Sequence, residues 1–228
     1  MFRLRKKQTK GLDVIFTIIK IGVLIAGVLV LIVWFYHHQW QTTIMPDEKR
    51  LTENVLQYKE DVQAALKSYD REEYTGVILA LMMQESAGRG NDPMQASESY
   101  CGEVGCIDDP SLSIEQGVRY FVNVLEKTNE DVLLTLQSYN FGAGFIDYVQ
   151  ERGGNYTKEL AIAFSQEKYQ DVKDTGNYSC IREEAEPYRA CYGDILYVQS
   201  VLDYYPEAKK AVDEDVRPIR IPKIPEEN

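Results

Sequence analysis

The sequence predicts a mostly α protein: a single helical domain behind one N-terminal transmembrane helix. Three observations carry that prediction. Between Pro46 and Tyr205 apolar residues recur at steps of three and four nearly throughout. No run of alternating residues reads as a strand. From Val14 to Tyr36 the chain is apolar except at Thr17 and Lys20.

Composition sets the class. The 228 residues are 44% apolar, which excludes global disorder. They carry 25 basic against 36 acidic side chains, a net charge of −11. An acidic chain has little with which to neutralise phosphates, so nucleic acid is excluded as the main partner. The charge is unevenly spread. Residues 1–36 hold Arg3, Arg5, Lys6, Lys7, Lys10 and Lys20 against Asp13 alone, which leaves −16 on residues 37–228.

The apolar stretch reads as an uncleaved signal anchor over residues 14–36, following a basic stub at 1–13. As a helix, Val14–Phe35 measures about 33 Å against a hydrocarbon core of about 30 Å. Lys20 lies near the basic end, where its ammonium can snorkel, and Trp34, Tyr36 and Trp40 form an aromatic belt at the other. A cleaved signal peptide would have a shorter apolar core ending in small residues, not in Phe35-Tyr36-His37-His38. Basic residues before the span place the N-terminus in the cytoplasm and the acidic body outside.

A linker at 37–46 leads to a domain at 47–205. Leu51, Val55, Tyr58, Val62, Leu66 and Tyr69 give one amphipathic helix, and Val77, Ile78, Leu81 and Met82 a more buried one. Ser113-Ile-Glu-Gln116 has capping-box form and opens a third, with Ile114, Val118, Phe121 and Leu125 inward. Glu130–Asn140, Thr157–Lys168 and Asp194–Tyr205 read as three more. Glycines at 88, 90, 142, 144, 153 and 154 break the connections. Residues 206–228, with Pro218, Pro222 and Pro225 among charges, read as an extended or disordered tail. In an oxidising compartment Cys101, Cys106, Cys180 and Cys191 favour two disulfides over zinc, since neither histidine is near a cysteine in sequence. The local pairs Cys101–Cys106 and Cys180–Cys191 need the least chain closure.

Candidate chemistry lies in three segments. In the first, Glu85 falls on the buried stripe of its helix, four beyond Leu81, and at the helix C-terminus. Burial and the helix dipole both favour the protonated carboxyl, as a general acid requires. The other reading is that Glu85 frays into solvent. The second segment, Asn91-Asp92-Pro93-Met94-Gln95-Ala96-Ser97-Glu98-Ser99, offers Gln95 as an amide partner and Asp92 or Glu98 as a second carboxylate. Its plain alternative is turn chemistry, with Asp92 capping at Pro93. The third, Ser138-Tyr139-Asn140-Phe141-Gly142-Ala143-Gly144-Phe145, pairs an aromatic face with amide hydrogen bonds, a combination suited to gripping a saccharide.

In order, these segments with Ile114-x-x-Gly117-x-x-Tyr120 and Tyr192-Gly193-Asp194 resemble the soluble lytic transglycosylase and goose-type lysozyme superfamily. Their wording is similar to the lysozyme-like domain of Gram-positive, membrane-anchored cell-wall hydrolases, some serving conjugation. The resemblance implies a lysozyme-like helical domain acting on peptidoglycan glycan strands between N-acetylmuramic acid and N-acetylglucosamine, without a cofactor or metal. It implies Glu85 as catalytic acid, with Ser97 or Glu98 near the cleaved bond and Glu98 as the second catalytic candidate. Ser86, Asp92, Met94, Gln95, Ser97, Tyr139, Asn140, Tyr192 and Asp194 would contribute to the glycan site. Two departures stand out: Asp92-Pro93 replaces the Gly-Leu common before Met-Gln, and the cysteines lie outside the shared pattern.

Hydrolysis, a muramidase outcome, is favoured; closure of a 1,6-anhydro ring, a lytic transglycosylase outcome, is the alternative. Hydrolysis by inversion needs a second carboxylate about 6.5–9.5 Å from the first, for which Asp92, Glu98 and Asp194 compete; assistance by the sugar's own 2-acetamido group would need none. Two readings of other classes stand beside catalysis: a glycan-binding or scaffold module, and a helical partner subunit of an envelope, division or conjugation complex.

Overall fold

The computed structural model describes residues 5–44, 49–212 and 216–224, with side chains in the first segment from 15 to 35. The chain divides into two units, Met1–Asp47 and Glu48–Asn228. The first contains helix α1, Arg5–Ile44. Within it Ile15–Phe35 has a mean hydropathy of 2.8 over 21 residues, and its described side chains are exposed. Such a stretch is about 32 Å long, enough to cross a hydrocarbon core. Trp34 of the expected aromatic belt is exposed there. The side chains of Tyr36 and Trp40, and those of the basic stub, lie outside the described residues.

The second unit is built around α4, Thr75–Glu85, whose residues Thr75 to Met82 are all buried. A helix apolar on every side belongs at the centre of a core. Helices α2 (Glu53–Leu56), α3 (Lys59–Lys67), α10 (Tyr197–Leu202) and α11 (Tyr205–Ala208) surround it. Helix α3 also packs on α6 (Pro110–Lys127), which meets α7 (Val132–Phe141) and the short α5 (Ser97–Cys101). Helix α7 touches α8 (Gly144–Gln150), and α8 touches α9 (Lys158–Val172). No strand occurs among the described residues.

Several boundaries differ from those expected of the sequence, each for a tertiary or capping reason. The helix expected over 51–69 is divided between α2 and α3. Thr52 caps α2 and donates its hydroxyl to the Ala87 carbonyl at 2.8 Å, tying the entry turn to the far end of α4. Gly88 completes that contact, because a Cβ there would lie 2.6 Å from the Asn54 backbone. Ser113 does not cap α6. Asp109 does, accepting from Ser111 N at 3.0 Å with Pro110 in the first turn, and Ser113 is buried inside the helix. Asp131 and Thr157 cap α7 and α9, so those helices begin at Val132 and Lys158. The helix expected from Asp194 starts at Tyr197 and resumes as α11 after a turn. Helices α5 and α8 were not expected. Beyond α11 the segment 216–224 is extended against the core: Ile219 N donates to Glu73 O, and the Tyr205 hydroxyl donates to Ile219 O at 2.7 Å. Both local disulfides, Cys101–Cys106 and Cys180–Cys191, are present.

Candidate active site

The site begins where α4 ends. Glu85 is the last residue of the helix, and Ser86 forms its C-cap. The Ser86 hydroxyl donates to Pro93 O at 2.8 Å and accepts from Gly88 N at 3.0 Å, clasping the following loop to the helix end. That loop is organised by Asp92. Its Oδ1 accepts from Ala96 N at 2.9 Å and from the Ser113 hydroxyl at 2.6 Å. Its Oδ2 accepts from Ser97 N at 3.0 Å and from the Ser97 hydroxyl at 2.6 Å. Ser113 in turn accepts from Met94 N at 3.0 Å, which is why a serine occupies the interior of α6. Met94 is fully buried against Gly117, where a Cβ would come within 2.6 Å of the Met94 side chain. The Ile114-x-x-Gly117-x-x-Tyr120 pattern thus seats the loop on the helix.

From α7, the Tyr139 hydroxyl donates to Met94 O at 2.9 Å, and the ring meets Tyr120 edge-on at 5.3 Å. Asn140 Oδ1 accepts from Asp194 N at 2.8 Å, leaving its amide NH2 as the donor toward the site. Gly193 permits this approach, since a Cβ there would lie 2.7 Å from Asn140 Oδ1.

These segments enclose a cleft of about 390 Å³. Seven positions singled out in the sequence line it: Glu85, Asp92, Gln95, Ser97, Glu98, Tyr139 and Asn140. Val104 and Gly105, inside the Cys101–Cys106 loop, complete the wall. Four others do not line it. Ser86 acts as the clasp described above. Met94 accepts from the Tyr139 hydroxyl through its backbone carbonyl, its side chain being core. Tyr192 packs among Phe141, Phe164 and Tyr178. Asp194 is buried in a salt bridge with Arg182, whose Nε lies 2.8 Å from both carboxylate oxygens. Among the described residues, no cluster of three His, Cys, Asp or Glu side chains could hold a metal ion.

The electrostatics separate the carboxylates. Burial pushes the Glu85 pKa up to about 7; a hydrogen bond from the Tyr197 hydroxyl opposes the rise, and the charges of Asp92 and Asp194 add to it. Burial also works against the Asp92 carboxylate. There the hydroxyls of Ser113 and Ser97 and the amides of Ala96 and Ser97 prevail, and its pKa lies below the ordinary value. Sequence reasoning missed Tyr197, which is 112 residues from Glu85, and it missed Val104. No local pattern could have found the first. The second was signalled by an apolar residue inside a short cysteine-closed loop.

A lysozyme-like family model matches residues 52–205. An uncharacterized membrane protein of Bacillus subtilis, YocA, is 35% identical over 93% of this chain and 94% of its own length. The bifunctional muramidase/DL-endopeptidase CwlT of the same organism is 42% identical over 71% of this chain, which spans 44% of CwlT. A solved Staphylococcus aureus structure described as similar to lipoprotein, of the NLP/P60 family, superposes with a TM-score of 0.60 at 34% identity, covering 69% of this chain and 54% of that one. The chain belongs to the lysozyme-like family.

Proposed function

We propose that this lysozyme-like chain is a peptidoglycan glycosidase that cuts glycan strands between N-acetylmuramic acid and N-acetylglucosamine, with Glu85 as general acid. The observation that carries the reading is Glu85 itself. It is a dehydrated carboxyl on the wall of an open polar cleft, with a pKa of about 7, so a large fraction is protonated at neutral pH. CwlT, described as a muramidase in part, supports the same substrate.

In this mechanism the Glu85 proton passes to the bridging oxygen as the C1–O bond breaks, and water attacks C1 in a muramidase reaction. The water needs a base. Asp92 accepts four hydrogen bonds and Asp194 is paired with Arg182, so neither has a free lone pair to offer. Glu98 is exposed on the cleft wall, and we assign it the role. Gln95 and the Asn140 amide would hold the sugar substituents, and Tyr139 would present its ring. If the sugar's own 6-hydroxyl attacks instead, Glu85 recovers that proton and the product is an anhydro ring. The basic stub before the apolar stretch would keep the N-terminus cytoplasmic and the catalytic unit outside, facing the wall. The two disulfides suit that compartment. An enzyme so anchored fits service within an envelope, division or conjugation complex.

The test uses the full-length chain in detergent, and its Glu85→Gln variant, on purified Gram-positive peptidoglycan with mass spectrometry of released fragments. Reducing muramic ends from the native chain alone are expected. Ends lighter by one water would assign the lytic transglycosylase course. Absence of fragments from both, with both sedimenting with the wall, would replace catalysis by glycan binding.

A further inference from the structure

The most exposed large apolar side chain among the described residues is Val104, at 81% of its free area. It sits on the cleft wall beside Glu98 and Gly105, in a lining otherwise dominated by carboxylates, amides and a serine. Exposure of this kind contributes nothing to the core. Yet the loop bearing it is held in place. The Cys101–Cys106 disulfide closes it. Gly102 and Gly105 turn it with φ of +81° and +77°. At its exit Ile107 N donates to the Ser97 hydroxyl at 3.1 Å, and that hydroxyl donates to Asp92 at 2.6 Å. The loop is therefore keyed to the same carboxylate that organises the cleft. An apolar group ordered in water before any ligand arrives reduces the entropy lost when the ligand covers it.

Resting on the glycosidase reading above, we propose that Val104 is a substrate-binding residue of a subsite built by the disulfide loop 101–106, which takes a methyl-bearing substituent of the glycan. Two groups on peptidoglycan carry such a methyl next to hydrogen-bonding amides: the 2-acetamido group and the alanine-containing stem peptide. Either would place its methyl on Val104 and its amide within reach of the polar wall. The loop thus reads the substituents of the strand, while Glu85 acts on its backbone.

The experiment compares the full-length native chain with Val104→Ser, Val104→Ile and the paired Cys101→Ser/Cys106→Ser variant. Each is assayed on glycan strands with stem peptides and on strands stripped of them. Loss of the apolar contact in Val104→Ser is expected to raise KM about three- to tenfold with kcat unchanged, while Val104→Ile keeps the native KM. Freeing the loop in the cysteine pair variant is expected to raise KM in the same direction. A KM effect confined to peptide-bearing strands identifies the stem peptide, and one common to both substrates identifies the acetamido group. Equal KM for native and Val104→Ser on both substrates overturns the proposal, as does a fall in kcat alone. If the native chain turns over no glycan, the glycosidase reading fails on its own account. Wall sedimentation then decides the subsite, and equal retention of native and Val104→Ser overturns it.

Discussion

Glu85 and Asp92 line one cleft and are seven residues apart, yet their surroundings are opposite. Among the described residues Glu85 accepts one hydrogen bond, from Tyr197, whereas Asp92 accepts four, two from backbone amides and two from serine hydroxyls. Both carboxyls lose hydration. In Asp92 the donors outweigh that loss and the anion is favoured; in Glu85 they do not, and the carboxyl holds its proton up to about pH 7. Donor supply therefore distinguishes a carboxyl suited to giving up a proton from one suited to holding a loop. On this basis Asp92 is a structural anchor, a role nearer to turn chemistry than to a second catalytic carboxylate.

The sharpest way to break this contrast is Glu85→Gln. Turnover of peptidoglycan is expected to fall about 10²- to 10⁴-fold. Stability should move the other way. The folded pKa of about 7 exceeds the ordinary glutamate value of 4.5, so the native contribution is fully present below pH 4.5 and is lost as pH rises through 7. Above pH 8 the variant should accordingly be the more stable by up to about 3 kcal/mol, with the gap closing near pH 4.5. Denaturant midpoints at the two pH values check this, and a gap independent of pH would mean that Glu85 titrates normally.

Asp92→Asn tests the other side. Its amide NH2 would face donors in place of an acceptor, and a loss of about 2–4 kcal/mol is expected at neutral pH. Because the native Asp92 pKa is lowered, its contribution is present above the ordinary value near 3.8 and disappears as pH falls through the folded one. The variant and the native chain should therefore converge in acid, as urea unfolding below pH 3 would reveal.

Gly117→Ala reaches the same loop from beneath. A Cβ 2.6 Å from the Met94 side chain must displace it, at a cost of about 1–3 kcal/mol. Calorimetry measures that cost, and a rise in KM would register the moved Gln95 wall. The smallest effect is expected from Tyr197→Phe. Losing the hydroxyl removes the group that favours ionised Glu85, so the alkaline limb of the pH–rate profile, expected near 7, should move upward. An unmoved limb would detach Tyr197 from the titrating group.

How much could be read beforehand varied with the range of the interaction. The buried helix ending in Glu85 was visible as an apolar run with one acid on its inner stripe, and the local disulfides followed from short cysteine spacings. Ser113 shows the opposite case. Its capping-box pattern is real, but Asp109-Pro110 offered a better cap one turn earlier, and the Asp92 carboxylate claimed the hydroxyl. Tyr192 and Asp194 looked like cleft residues because they follow the family pattern. They instead buttress the site from behind, packing on Phe141 and fixing Asn140.

The sequence by itself determined the span-length apolar helix, the all-α class, the central α4 and the residue types gathered at the cleft. Those rest on periodicity, length and local closure, which are properties of neighbouring residues. Tertiary structure alone decided which carboxyl keeps its proton, because the donors that settle the matter come from residues as distant as Ser113 and Tyr197. Hydration and hydrogen-bond supply at a buried atom depend on everything packed around it, and no local pattern encodes that sum.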